Sequence, residues 1–202
     1  MTNKLLVIGL DGASFNVLDA LIEKGFMPNL SKLIREGARA DLETTFPPIT
    51  AVAWSSFMTG KNPGKHGIFE FKRRDRDSKR ELAVNASFRE GPAIWDLLGE
   101  AGKRVIVHNF PCTYPPSAVN GLMIADFMTP RGRNDYTYPK ELLAEIESQF
   151  GPYRLHLSQT YTGGGPEAVL DELFDELEYK AKVAPYLMER YEWDAFFQYF
   201  WG

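Results

Sequence analysis

The chain has 202 residues, 44% hydrophobic and 25% charged, which suits one domain with a proper core and excludes a disordered polyelectrolyte. A formal net charge of −4 argues against a nucleic-acid surface. The one basic run, Lys72-Arg73-Arg74, is diluted at once by Asp75 and Asp77 and reads as a solvated loop. A single cysteine, Cys112, leaves no internal disulfide and no thiolate metal cluster, and beside Pro111 it reads as a buried, inert thiol. No targeting segment and no apolar stretch of membrane length is visible, so the expected location is cytoplasmic.

Lys4 to Leu10, KLLVIGL, is a short apolar run closed by Asp11-Gly12, the pattern of a parallel strand buried on both faces. Asp11 then lies just past its carboxyl end, where open α/β sheets place ligands. Helical spacing follows over Ser14 to Lys24, stopped by Gly25, and over Pro28 to Glu36, stopped by Gly37. Ala38 to Thr45 reads as a second strand. Pro47-Pro48 form a stiff elbow, and Thr50 opens a helix that Thr59-Gly60 and Pro63-Gly64 bring to an end.

Residues 69–90 turn polar without a sustained period, an excursion over the surface that includes a short hairpin. Ile94, Leu97, Leu98 and Ala101 then form a helical stripe ending at Gly102, and Val105 to Val107 a core strand ending at His108-Asn109. Gly121 to Phe127 is another strand, and Pro139 to Phe150 a helix. Gly163-Gly164-Gly165 reads as a flexible spacer, since no Gly-Lys-Ser/Thr follows to make a phosphate cradle. A long helix is expected from Pro166 to about Tyr191, broken at Pro185, and a third core strand from Asp194 to Trp201. The alternation of these elements predicts an α/β fold with a largely parallel sheet flanked by helices. A buried parallel strand normally continues into a loop and a crossover helix, so the expected sheet is truncated at Asp194 to Trp201. Its unpaired edge would favour self-association.

The Thr50 hydroxyl sits at a helix start, where unpaired N–H groups and the positive end of the macrodipole suit an anion such as phosphate. It is equally a residue type that caps its own helix. Asp11 is likewise either a site carboxylate or a turn residue in Asp-Gly. Together they suggest a carboxylate and a hydroxyl converging on one sheet edge, where a divalent cation would stabilise the alkoxide. A haloacid-dehalogenase reading of Leu10-Asp11-Gly12 fails, because that family needs Asp-x-Asp with the nucleophile first and position 9 is Gly.

Five ordered segments go further. VIGLDG (Val7 to Gly12), MPNLSKLIREGA (Met27 to Ala38), PPITAVAWSSFMTGKNPGKHGI (Pro47 to Ile68), PAIWDLLGEAGKRV (Pro92 to Val105), and PCTYPP with NGLMIADFMTP (Pro111 to Pro130) cover most of the chain. In that order they resemble the type I phosphodiesterase and nucleotide pyrophosphatase group of the alkaline phosphatase superfamily. The resemblance implies a two-metal phosphohydrolase acting on a small phosphate ester, with two divalent ions, zinc in this family. Asp11 would ligate one ion, and Thr50 would ligate the same ion and attack phosphorus. Thr in place of Cys argues against a sulfatase. Asn85, ten residues before Trp95, has the spacing of a phosphate-binding Asn in the pyrophosphatase branch, and is otherwise an ordinary loop Asn. His66 fits a structural histidine that fixes its loop, and the resemblance gives His108 and His156 no role.

The family's other metal ligands, an Asp-x-x-x-His motif, an Asp-His pair and a final His, come later than any residue here. Residues 1–202 therefore read as the N-terminal portion of one alkaline phosphatase-like catalytic domain, inactive alone. A non-catalytic binding or scaffold domain that kept the fold is the alternative.

Overall fold

The last apolar run of the sequence lies in the interior of the sheet, one strand in from its edge. In the computed structural model, which describes residues 3–75, 77–158 and 161–201, it forms a strand over Ala195–Phe200 whose first five residues are buried. The described elements are, in chain order, β1 (Leu5–Leu10), α1 (Phe15–Glu23), α2 (Pro28–Glu36), α3 (Thr50–Thr59), α4 (Pro63–His66), β2 (Lys72–Arg74) and β3 (Glu81–Ala83). A 3-10 turn (Ala86–Phe88) leads to α5 (Ile94–Glu100), β4 (Val105–His108), β5 (Gly121–Ile124), β6 (Thr137–Tyr138), α6 (Glu141–Phe150), α7 (Tyr161–Arg190) and β7 (Ala195–Phe200). The main sheet runs β1-β7-β4-β5-β6, parallel except for β6, which pairs antiparallel with β5. The α/β class and the largely parallel sheet are as the sequence predicts.

Period-two alternation splits the core into two layers. Ile106, Leu122, Ile124 and Phe196 face α6 and α7, where Leu142, Ile146, Val183 and Leu187 cover them. Val105, Val107, Met123, Phe197 and Tyr199 face the other way, onto Met58 of α3, Trp95 of α5 and Phe110. The polar excursion is anchored rather than loose: Val84, just past β3, packs with Ala51 of α3, Ile68 and Cys112.

Several expectations need correction. β7 is not an edge; β1 and β4 flank it on both sides. The bare edge is β1, and Leu5, Leu6, Ile8 and Leu10 are 41% to 54% exposed instead of buried on both faces. Neither α1 nor α2, the helices that follow β1, buries a residue. Ala38 to Thr45 forms no strand and Leu42 is exposed. Its apolar positions (Ala38, Ala40, Leu42) offer too little area to offset ordering the backbone. α5 turns Trp95 inward, while Ile94 and Leu97 of the expected stripe are exposed, because one buried indole outweighs two aliphatic chains.

α7 begins at Tyr161, so the glycine run lies within the helix, and it continues through Pro185. Glycine costs about 1 kcal/mol per position against alanine, but extending a helix needs no new nucleus. Around Pro185 the chain is pinned by the buried Val183, Ala184 and Leu187, which holds the axis despite the lost backbone bond. β6 has two residues, too short to show a period. No helix among the described residues is long and apolar enough to cross a membrane.

A buried polar cluster lies at the carboxyl ends of β4 and β5. His108 meets Gln198 Oε1 at 2.6 Å and the Tyr153 hydroxyl at 2.7 Å, and burial pushes its pKa down to about 3, keeping the ring neutral. Asp126 accepts from the Cys112 amide at 2.8 Å through Oδ2, while its buried Oδ1 has no partner. Burial raises the Asp126 carboxyl from the ordinary 3.8 to about 7, against the backbone amides and Lys180, which pull it down. The Cys112 thiol is buried and pushed up to about 12, inert as expected.

Between those two Asp126 values the folded protein keeps a proton that the unfolded chain has lost, so this group's stabilisation is complete below pH 4 and gone above about pH 7. Asp126→Asn should therefore gain on the wild type by a few kcal/mol as pH rises across that window, an order-of-magnitude figure. Urea denaturation of both proteins at several pH values measures the gap, and a gap independent of pH would refute the assignment.

Candidate active site

Each part of the site is held by an element whose local cause is visible. The β1–β7 ladder runs one residue past β1, where the Asp11 amide donates to Phe200 O at 3.0 Å. Gly12 then turns the chain at φ +64°, a conformation that favours glycine. The Asp11 carboxylate is thereby fixed at the carboxyl rim of the sheet. Across from it, the Pro47-Pro48 elbow delivers Ile49 in an extended conformation, with its amide bonded to Pro47 O at 3.0 Å, and α3 starts at Thr50. Ala51 and Val52 anchor that start by complete burial.

The far end of α3 is tied down by His66. Its Nδ1 accepts from the Ile68 amide at 3.1 Å, so the neutral ring carries its proton on Nε2, which donates to Ser56 Oγ at 2.9 Å. Burial lowers the His66 pKa and favours that neutral form. These contacts are those of a histidine that fixes its loop.

Asp11 and Thr50 lie 39 positions apart and meet: Thr50 Oγ1 donates to Asp11 Oδ2 at 3.1 Å. The N-cap of α3 is Ile49, whose side chain makes no capping bond, so the Thr50 hydroxyl is not consumed by its own helix. Two residues that the sequence did not single out complete the cluster. Trp54 Nε1 donates to Asp11 Oδ1 at 3.3 Å, and the Tyr199 hydroxyl donates to Oδ2 at 2.9 Å. Trp54 follows Thr50 by one helical turn and so shares its face, a signal that was readable. Tyr199 became visible only with the strand order, since its nearness to Asp11 depends on β7 lying beside β1.

The indole of Trp54 lies against Gly9, where an added Cβ would stand 2.6 Å from its ring. Edge contacts with Phe57, Phe110 and Tyr199, at centroid distances of 5.2 to 5.6 Å, hold it there. Tyr199 is fully buried, and burial together with the Asp11 charge drives its phenol pKa far above the usual range, so it remains a donor. Asp11 and Thr50 themselves are half-buried and open to solvent.

Asn85 makes none of the cluster's hydrogen bonds. It caps the 3-10 turn, its Oδ1 accepting from the Ser87 amide at 2.9 Å and the Ser87 hydroxyl at 2.7 Å. No hydrogen bond among the described residues joins it to Asp11 or Thr50. His108 lies in the buried cluster of the fold, and His156 bonds Thr129 O at 2.7 Å, so neither belongs to the site.

A carboxylate and a hydroxyl are oxygen donors suited to one flank of a divalent cation. Among the described residues no group of three or more His, Cys, Asp or Glu side chains is placed to hold a metal ion. The donors thus fit part of such a site and fall short of the usual zinc complement of about four ligands.

Residues 5–200 match the family model described as type I phosphodiesterase / nucleotide pyrophosphatase. Among solved structures, phosphonoacetate hydrolase from Sinorhizobium meliloti 1021 in complex with phosphonoacetate is similar with a TM-score of 0.63 at 16% identity, over 98% of this chain and 46% of that one. The same enzyme in complex with phosphonoformate gives 0.64 at 17% identity, with the same coverage. At such identity the likeness is one of fold. The chain spans less than half the length of these structures, and no curated protein matches it.

The Gly9 contact gives a direct check on the site's packing. Because Trp54 is wedged by three other rings, Gly9→Ala should cost about 1–3 kcal/mol, read as a lower urea midpoint. An unchanged midpoint would show that the indole does not rest on β1.

Proposed function

Because the chain belongs to the type I phosphodiesterase / nucleotide pyrophosphatase family, we propose that it is the nucleophile-bearing portion of a metal-dependent phosphohydrolase whose substrate is a small phosphate ester. In this reading residues 1–202 form the N-terminal part of one catalytic domain, with the 69–90 excursion on its surface. Thr50 is the nucleophile, and Asp11 with Thr50 holds one of two divalent ions, zinc by family resemblance. The observation that carries the reading is the 3.1 Å contact between Thr50 Oγ1 and Asp11 Oδ2 at the start of α3.

The residues present define the following chemistry. The Val52 amide in the first turn of α3 is taken by Ile49 O at 2.9 Å, while the amides before it are not capped by the Ile49 side chain and, with the macrodipole, attract phosphate oxygens. Asp11 orients the Thr50 hydroxyl, but an ordinary carboxylate is too weak a base to remove its proton. A divalent ion, when bound, supplies the Lewis acidity that makes the alkoxide accessible near neutral pH. Thr50 Oγ then forms a bond to phosphorus as the bond to the leaving ester oxygen breaks, and water later cleaves the phospho-threonine. Asn85 keeps a role as phosphate ligand through Nδ2, since Oδ1 is committed to Ser87.

The second reading is a scaffold domain that kept the fold without the metal site; both readings are consistent with the absence of a third ligand among the described residues. The two part on the gene. An in-frame Asp-x-x-x-His followed by Asp-His-Gly after codon 202 supports the enzyme, and a stop codon there supports the scaffold. These residues alone, with zinc or manganese added, should give negligible turnover of bis-p-nitrophenyl phosphate. Robust turnover abolished by Thr50→Ala would overturn the claim of an incomplete ligand set. In a protein joined to that continuation, Thr50→Ala should lower kcat by roughly 10³-fold or more.

The same reading expects self-association, now through β1. Its four exposed apolar side chains come with no proline and no charge inside the strand to blunt the edge. Light scattering after size-exclusion chromatography should show oligomers that Ile8→Lys converts to monomer. A clean wild-type monomer would count against it.

A further inference from the structure

We propose that Tyr199 and Trp54 are positioning residues that lock the Asp11 carboxylate in the orientation needed to receive a divalent cation. The inference rests on the reading of Asp11 as a cation ligand. Three donors converge on a carboxylate that is only half-buried and that water could solvate without them. Two of those donors are rigid rings on different elements, Trp54 on α3 and Tyr199 on β7. One grips each oxygen, so the carboxylate cannot rotate about its Cβ–Cγ bond without breaking both bonds.

The chemistry of the donors matters as much as their number. Both are neutral, and among the described residues no Lys or Arg makes an ion pair with Asp11. A guanidinium in their place would hold the carboxylate as firmly and cancel its charge. Tyr199 and Trp54 orient it and leave the negative charge for a cation. A carboxylate offers about four lone-pair directions. The two rings occupy one on each oxygen, and the third donor, the Thr50 hydroxyl, sits on a freely rotating bond. The position it takes on Oδ2 is therefore exchangeable, and it lies on the side facing the attacking group.

Groups that orient a metal ligand typically change affinity by about 10–100-fold when removed. Manganese titration of the 15N-labelled chain reads this without turnover, because paramagnetic broadening detects weak binding. The indole N–H signal of Trp54 is the reporter, and Trp193 is the reference, a full strand of six residues away at the opposite end of β7. In the wild type the Trp54 signal should broaden at manganese concentrations that leave Trp193 sharp, and Asp11→Asn should abolish that difference. Tyr199→Phe, which removes only the hydroxyl, should raise the manganese requirement about tenfold or more with an unchanged urea midpoint. Should that variant not fold, Trp54→Phe is expected to show the same weakening by water-proton relaxation.

If Asp11→Asn abolishes the selectivity and Tyr199→Phe leaves the requirement unchanged, the positioning role is wrong and the cation reading survives. If the Trp54 signal broadens at the same manganese concentrations in the wild type and in Asp11→Asn, Asp11 is not a cation ligand, and both claims fall.

Discussion

The parallel pairing of β1 with β7 is the constraint on which the site depends. It joins residues almost at opposite ends of the chain, Leu5 with Ala195 through Leu10 with Phe200, and so sets Asp11 beside Tyr199. Neither group has a local reason to be there. Asp11 follows a strand that is largely uncovered, and without β7 that strand would have only Gly9, pressed on an indole, and Val7, packed on the aromatic layer, to fix it. β7 in turn is held by β4 and by apolar layers on both of its faces. Order thus passes from the buried centre of the sheet outward to the rim carboxylate, by way of backbone bonds and the Tyr199 hydroxyl.

Trp54 couples the same carboxylate to α3. Its ring bridges Gly9, Phe57, Phe110 and Tyr199, while its N–H reaches Asp11 Oδ1. A shift of α3 along its axis would therefore move Thr50 and one grip on Asp11 together. Gly9 matters here for its missing side chain alone, since any Cβ would lift the indole off β1. The opposite end of the helix is fixed independently through Ser56, His66 and the Ile68 amide. The nucleophile candidate is therefore held by its helix from both ends, and the helix by contacts with two separate parts of the chain.

What the sequence disclosed was what depends on local chemistry. α2 begins at its proline and ends before Gly37 as read, and α3 begins at Thr50, because prolines, glycines and helical period act within a few residues. The convergence of Asp11 and Thr50 was inferred from strand ends and helix starts and is what the hydrogen bond shows. Strand order was not legible, and with it went the exposure of β1 and the interior place of β7, for an apolar run reads alike at an edge and inside a sheet. Tyr199 escaped notice for a related reason. In a run such as AFFQYF a tyrosine reads as core, and it is core; only its hydroxyl, turned toward a neighbouring strand end, belongs to the site.

The two sides of Asp11 are unequal. Toward β7 the carboxylate meets Tyr199, and toward α3 it meets Thr50 and Trp54, both filled by packed rings. Toward the outer flank of β1 it meets neither a strand nor a helix, and the neighbouring Leu6, Ile8 and Leu10 side chains stand uncovered there. The approaches to Asp11 from β7 and from α3 are occupied by groups that cannot withdraw without unpacking the aromatic cluster.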